Sequence, residues 1–305
     1  MVAPGYRLPC HCEERSDVAI SWYNPPKYSA ETDIVPGDCH APKGARNDMR
    51  CKRCGTLNNN WYYHGGLVME KLEILKTWVE ESRRIVFFGG AGVSTESGIP
   101  DFRSVDGLYR QKFEYPPETI ISHSFYERKP AYFFDFYREK MLPLGFEPNI
   151  THKVLARWEQ EGRLSAVVTQ NIDGLHQKAG SQRVLELHGS VLRNYCVRCG
   201  KFHSAEFVKH SVGVPLCSCG GIVKPDVVLY EEGLDSQTIE DSIEAISHAD
   251  LLIVAGTSLT VYPAAGLIQY YRGNRLVLIN RDETPFDHRA DLVFHASLGT
   301  IFSQL

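Results

Sequence analysis

Two tight pairs of cysteines, Cys196-x-x-Cys199 and Cys217-x-Cys219, are the most specific chemical feature of the chain. Each pair runs into glycine, Gly200 after the first and Gly220-Gly221 after the second, as knuckle-shaped turns require. Four thiolates so arranged suit one tetrahedral zinc ion and leave it no open coordination position. Such an ion would stabilise its surroundings and would not itself catalyse. Two disulfides, or four free thiols, are the competing readings. A second feature is the string Gly89-Gly90-Ala91-Gly92-Val93-Ser94-Thr95, continuing through Glu96-Ser97-Gly98-Ile99-Pro100-Asp101 to Phe102-Arg103. Glycines there let the backbone approach a phosphate, and Arg103 offers a charge-assisted hydrogen bond to phosphate or ribose. The string is not the GxGxxG fingerprint, and a tight strand–helix connection is its plainer reading. Of the chain's 12 histidines, His188 stands at a junction, ending a strand-like run just before Gly189 and the cysteine pairs. Imidazole serves as a general base near neutral pH without a large perturbation.

The elements that must position these groups follow from apolar periodicity. Leu72, Leu75, Trp78 and Val79 fall at helical spacing and predict an amphipathic first helix from about Met69. Residues 84–88 read as a buried strand feeding the glycine string. Apolar runs at 164–169, 184–187, 226–230, 251–255, 276–280 and 292–295 repeat the theme. Helical stretches lie between several of them, such as 236–247 with Ser236 as N-cap. Continuous apolar strands alternating with helices imply a parallel sheet covered on both faces, a doubly wound, Rossmann-like α/β core. Ligands of such sheets gather at the carboxyl ends of the strands. Residues 112–147, aromatic and helical, and 191–221, with the paired cysteines, break the pattern. They predict a small inserted helical and zinc-binding module, leaving about 69–111, 148–190 and 222–305 to the core. No internal repeat is present.

Taken in order, three blocks resemble the signatures of the sirtuins: GAGVSTESGIPDFRS, Thr169-Gln170-Asn171-Ile172-Asp173-Gly174-Leu175-His176, and Glu186-Leu187-His188-Gly189. Gly256-Thr257-Ser258-Leu259, Val261-Tyr262-Pro263-Ala264-Ala265 and Ile279-Asn280-Arg281 resemble that family's later nucleotide-binding blocks. The resemblance is to the bacterial type and runs from about Met69 to the last residue. It implies an NAD⁺-dependent protein-lysine deacetylase with one structural zinc held by Cys196, Cys199, Cys217 and Cys219. It implies NAD⁺ contacts at Ala91, Gly92, Thr95, Phe102 and Arg103, and at Gln170, Asn171, Ile172, Asp173 and His188 around ribose and nicotinamide. Gly256, Thr257, Ser258 and Asn280 would hold phosphate and the adenosine ribose, with Leu298 closing on adenine. His188 is the implied general base, and Asn171 and Asp173 complete the catalytic set. In the family, the acyl oxygen of bound acetyl-lysine attacks C1′ of the nicotinamide ribose and nicotinamide leaves. The base then takes a proton through the ribose hydroxyls, and hydrolysis gives free lysine and O-acetyl-ADP-ribose. NAD⁺ is consumed, not used for hydride transfer. Plainer readings of single residues are caps for Ser258 and Asn280, core for Ile172 and loop packing for Phe102.

The resemblance also places an acyl-lysine peptide along residues 224–231, with Val227, Val228, Leu229 and Tyr230 as substrate contacts. A peptide added there as a strand is held mainly through its backbone, which predicts a loose sequence preference. Many relatives read Phe-Gly where this chain has Tyr230-Glu231. Relatives that prefer succinyl or malonyl groups carry a Tyr-x-x-Arg pair. The nearest counterpart, Tyr137-Arg138-Glu139-Lys140, ends in lysine, which lacks the bidentate fork and favours acetyl. Removal of other acyl groups, mono-ADP-ribosyl transfer and a non-catalytic NAD⁺-responsive binding module are the alternatives. Intact Asn171, Asp173 and His188 speak against the last.

Bulk properties bound the rest. A chain of 305 residues, 43% hydrophobic and 23% charged, has room for one large and one small domain. A net charge of −4 argues against broad nucleic-acid or anionic-membrane binding. The apolar runs are far too short for a membrane span, and Glu13, Glu14, Arg15 and Asp17 interrupt any signal-peptide core. The expectation is a cytoplasmic protein acting on acetylated proteins or peptides. Residues 1–68 show no sustained period, predicting a disordered or non-native extension. Their Cys10-His11-Cys12, Cys39-His40 and Cys51-x-x-Cys54 are too irregularly spaced for a second zinc site. The stretches CHCEERSDVAIS and APKGARNDM resemble translated bacterial repeat DNA, so translation is expected to begin at Met69. An intact mass of the native protein that includes residue 1 or 2 would overturn this.

Overall fold

A computed structural model describes residues 60–101 and 113–305, with side chains from Met69 onward. The first helix, α1 (Asn60–Glu81), begins ahead of Met69, so the boundary expected from composition falls inside a helix. The cysteines expected not to bind metal in the first 68 residues lie outside the described residues, as do Phe102 and Arg103. Along the chain the strands are β1 (Ile85–Gly89), β2 (Leu164–Thr169), β3 (Val184–Glu186), β4 (Gly189–Cys196), β5 (Phe202–His203), β6 (Val223–Val227), β7 (Leu251–Ala255), β8 (Leu276–Ile279) and β9 (Leu292–Phe294). The further helices are α2 (Pro117–Ile120), α3 (His123–Arg128), α4 (Pro130–Phe136), α5 (Ile150–Gln160), α6 (Leu175–Ala179), α7 (Ala205–His210), α8 (Ser236–Ser247) and α9 (Leu298–Phe302).

The large sheet has the order β3-β2-β1-β7-β8-β9 with every pairing parallel. Strand β1 is buried along its whole length. Ile85 and Phe87 enter one core with residues of α1, α5 and α9. Val86 and Phe88 enter the opposite core with α8 and the turn Ala264–Tyr270. Burial on both faces explains the unbroken apolar runs. The strand order reverses between β1 and β7, which opens a crevice at their carboxyl ends. Helix α8 is capped by Asp235, whose carboxylate accepts from Thr238 N at 2.8 Å, and not by Ser236 as the sequence suggests. An anion there also complements the helix dipole.

The run 226–230 reads as a core strand, but the strand is β6, at 223–227, and it pairs antiparallel with β4 in a separate sheet of order β5-β4-β6. Val223, Pro225 and Val227 are buried while Lys224 and Asp226 are half-exposed. That alternation marks a sheet with one covered face. The covered face shares one core with Ile120 of α2, with Phe125, Phe133 and Phe134 of α3 and α4, and with Tyr137 just past α4.

Helices α5 and α6 bring His152 and His176 together under the large sheet, ring centroids 4.7 Å apart and both buried. His152 Nε2 and both nitrogens of His176 make no hydrogen bond among the described residues. Burial pushes His152 down to about 4 and His176 well below the ordinary 6.5. A base depressed by folding contributes stability that is complete above its unfolded pKa and is lost as pH falls through the folded one. Acidification from pH 6.5 towards 4 should therefore cost on the order of 3 kcal/mol through His152 alone. Urea midpoints measured across that range should fall less steeply for His176→Leu than for the unmodified protein; identical slopes would contradict the assignment.

Candidate active site and metal centre

Beyond β1 the chain makes two short 3₁₀ turns, Ala91–Val93 and Thr95–Ser97. Gly90 N donates to Ala255 O at 3.2 Å and Gly92 N to Gly256 O at 2.8 Å, joining the turn after β1 to the turn after β7. A Cβ on Gly92 would stand 2.8 Å from Gly256 Cα, and one on Gly256, at φ +59°, would stand 2.5 Å from Val93 N. Only glycine permits that approach. Asn149, the N-cap of α5, donates from Nδ2 to Val93 O at 2.7 Å and to Ser97 Oγ at 3.0 Å. The glycine string is thus fastened on two sides at the strand-order reversal.

The end of β2 supplies the polar groups. Gln170 N donates to Gly89 O at 3.0 Å, and Gln170 Nε2 donates to Thr257 Oγ1 at 3.0 Å. Ser94 Oγ donates to Asp173 Oδ2 at 2.7 Å and accepts from Asn171 Nδ2 at 3.0 Å. Asp173 Oδ1 accepts from Leu175 N at 2.9 Å. Burial raises the Asp173 pKa, and the two hydrogen bonds only partly oppose it. Ser94 carries no signal of its own in the sequence beyond its place in the glycine string. Its burial between Asn171 and Asp173 depends on how the loops after β1 and β2 meet, which spacing does not reveal.

His188 lies between β3 and β4. Its Nδ1 stands 2.9 Å from Gln170 O. A carbonyl only accepts, so Nδ1 carries the hydrogen and Nε2 keeps the basic lone pair. Burial pushes the His188 pKa down, partly offset by that carbonyl. Gly189, at φ +74°, makes the corner that follows, and a Cβ there would collide with the Asp226 carbonyl.

The remaining expected residues divide. Ala91 and Gly92 are half-buried in the first turn, and Thr95 is exposed with Oγ1 on Gly92 O at 3.0 Å. Thr257 is buried, whereas Ser258 is exposed with Oγ 2.8 Å from Thr260 Oγ1. Asn280, just past β8, donates from Nδ2 to Asp282 O at 2.8 Å. All follow parallel strands, so they share the carboxyl edge with the turns after β1 and β2. Ile172 is half-buried against the core of the small module. Leu298 is buried in the large core at the start of α9. Val227 and Leu229 are buried, Val228 and Tyr230 half-buried. Val228 N donates to His188 O, Leu229 N to Glu232 Oε2 and Tyr230 N to Ile121 O. Those three N–H groups are spent within the chain, and the carbonyls of Leu229 and Tyr230 also accept within it, from Glu232 N and His123 N at 3.0 Å each. Tyr137 is buried among aromatic rings, stacked on Phe133 at 5.7 Å. Arg138 is spent on Asp135, Ser211 and the Gly213 carbonyl.

The four paired cysteines bring their sulfurs within 4.8 Å of one another. Cys196 and Cys219 stand 3.4 Å apart, Cys199 and Cys219 3.5 Å, and Cys199 and Cys217 3.8 Å. Zn–S bonds of about 2.3 Å set a tetrahedral edge of about 3.8 Å, whereas a disulfide needs about 2.05 Å. The donor set fits zinc and not a pair of disulfides.

The Sir2 family model matches residues 90–263. An NAD-dependent protein deacetylase of Clostridium acetobutylicum is 59% identical over 239 residues, covering 77% of this chain and 98% of the relative. One of Staphylococcus aureus is 44% identical, covering 77% and 97%. A solved structure described as Sir2–p53 peptide–NAD+ is 40% identical with a TM-score of 0.69, covering 76% of this chain and 96% of that one. Another, described as Sir2 bound to acetylated peptide, is 38% identical with a TM-score of 0.68 and the same coverage.

Removing one thiolate should release the metal and loosen the small module. Cys217→Ser is expected to bring zinc content from one ion per chain towards zero and to lower the thermal midpoint. Full zinc retention in that variant would rule out the four-cysteine site.

Proposed function

The chain belongs to the Sir2 family, and from that premise we propose that it is a bacterial NAD-dependent protein deacetylase acting on acetyl-lysine side chains. The observation that supports this best is the network Ser94–Asn171–Asp173 beside a neutral His188, at the carboxyl edge where the strand order reverses. An extended dinucleotide fits that edge, which presents polar groups from the turns after β1, β2, β7 and β8. We assign its phosphates and adenosine ribose to the turn at 91–95 and to Thr257, Ser258 and Asn280, with Phe102 and Arg103 contributing from the following segment. The ribose and nicotinamide are assigned to Gln170, Asn171, Ile172 and Asp173.

NAD⁺ supplies a ribose carbon whose bond to nicotinamide is ready to break, and an ADP-ribose that carries the acetyl group away. The protein's part is positioning and one proton. Ser94 holds the Asn171 amide and the Asp173 carboxylate in fixed orientation, so neither must reorganise on binding. His188 Nε2 receives a proton because Nδ1 is fixed by Gln170 O. Acetyl-lysine peptide lies along 227–230, beside the His188 corner. The counterpart of the Tyr-x-x-Arg pair ends in Lys140, which lacks the bidentate fork for a distal carboxylate, and this supports acetyl over succinyl or malonyl as the group removed. Zinc stabilises the small module. No helix among the described residues is long and apolar enough to cross a membrane, and the site of action is assigned to the cytoplasm. Residues 69–305 are assigned as the catalytic domain and 1–68 as an extension outside it.

The test is mass spectrometry of an acetyl-lysine peptide incubated with the zinc-loaded protein, with and without NAD⁺. Loss of acetyl only with NAD⁺, accompanied by nicotinamide and O-acetyl-ADP-ribose, is the expected result; label transferred to protein would indicate ADP-ribosyl transfer. His188→Ala should lower deacetylation by ~10²–10⁴ while NAD⁺ still binds. The base must be neutral and its pKa lies below 6.5, so kcat/KM should hold on the alkaline side of that value and fall with acidification below it. Retained deacetylation in the variant would remove His188 from the mechanism.

A further inference from the structure

Strand β4 does not run evenly along β6. Ser190 faces Asp226, yet Asn194 faces the very next residue, Pro225, so Val191, Leu192 and Arg193 form an enlarged bulge. A bulge beside an active site commonly re-aims the chain. This one reaches the loop that carries Asn171 and Asp173. Val191 N donates to Ile172 O at 2.9 Å, and the Leu192 side chain packs over Gly174, where a Cβ would stand 2.5 Å from Leu192 Cδ1.

Arg193 fastens the bulge at its base. Its Nη1 donates to Glu186 Oε2 at 2.6 Å and its Nε to Asp226 Oδ2 at 2.7 Å. Glu186 lies two residues before His188, and Asp226 presents its carbonyl to the Gly189 corner. The Glu186 side chain is only 8% exposed, and its second oxygen accepts from Gln177 Nε2 on α6 at 2.8 Å. One guanidinium therefore holds together the strand before His188, the strand after it, and β6, while Glu186 extends the tie to α6. The His188 corner and the Asn171–Asp173 loop are set against each other through this clamp.

We propose that Arg193 is a positioning residue for deacetylation, acting through the 191–193 bulge to fix the His188 corner against the Asn171–Asp173 loop. The inference rests on the deacetylase reading. Lysine in its place keeps the positive charge but cannot donate in two fixed directions to Glu186 and Asp226. Small misplacements of a reacting geometry cost rate more than affinity.

The experiment compares Arg193→Lys and Arg193→Ala with the unmodified full chain, each zinc-loaded, by steady-state kinetics and by amide hydrogen exchange. Expected are a fall in kcat of about tenfold or more in both variants, a KM for NAD⁺ changed by less than about threefold, and no rescue by lysine. Exchange at 171–175 and 188–193 should quicken by about tenfold or more while β1 and β7 stay protected. Unmodified kcat in Arg193→Ala, rescue by lysine, or a loss confined to KM overturns the proposal. So does unaltered exchange in those two segments, whatever the activity. If Arg193→Ala does not fold, Arg193→Lys and Glu186→Gln carry the same comparison. Failure of the unmodified protein to deacetylate would instead count against the deacetylase reading, leaving the exchange measurement to judge the clamp.

Discussion

The turn after β1 and the turn after β7 touch backbone to backbone, and the placement of the whole site depends on that contact. Gly92 and Gly256 leave no room for a side chain between them. Because the strand order reverses there, the contact forms the floor of a crevice and not merely a join between neighbours. Ser94 then falls where it meets Asn171 and Asp173 from the next strand, and Gln170 falls within reach of Thr257. A methyl group at either glycine would lift one turn off the other.

Burial then sets the protonation chemistry. Asp173 is raised and His188 lowered by the same cause, removal from water, so each is shifted towards its neutral form. The shift suits the role proposed for His188, since a base must be unprotonated to act. The metal centre contributes from a distance. Strand β4 starts next to His188 and ends at Cys196, so a single strand runs from the proposed base to the first of the four clustered sulfurs. Zinc at one end and the Gly189 corner at the other hold that strand at both ends, which gives a structural ion a mechanical bearing on a reaction it does not touch.

The sequence made the large sheet legible because its strands are buried on both faces and read as unbroken apolar runs, as at 164–169 and 251–255. The glycine string, the cysteine pairs and His188 were legible for similar reasons, each being a short local pattern. What escaped depends on contacts between distant segments. Val223–Val227 alternates buried and half-exposed residues because it covers only one core, and its apolar neighbours Val228 and Leu229 shifted the apparent strand by three positions. Asp235 and Ser236 are both good cap residues, and only the backbone bend decides between them. Ser94 and Arg193 look like ordinary polar residues until the loops around them close.

The segment 227–232 is where this chain departs from relatives that read Phe-Gly, and the departure has a physical solution. Glu231 adopts φ +76°, a left-handed conformation that costs a side-chain-bearing residue roughly 1–2 kcal/mol relative to glycine. Its carboxylate offsets that cost by accepting from Ser124 N at 2.9 Å and Ser124 Oγ at 3.0 Å, in the first turn of α3. His123 N donates to Tyr230 O, and the His123 ring meets Glu232 at 2.8 Å, so the same short helix is held by three consecutive residues. Glycine at this position would supply the conformation without the tether. Glutamate supplies both, and so ties the segment assigned to the peptide directly to the aromatic module above it. The segment assigned to the peptide is consequently tied to α3 through three consecutive residues, by backbone and side-chain hydrogen bonds together.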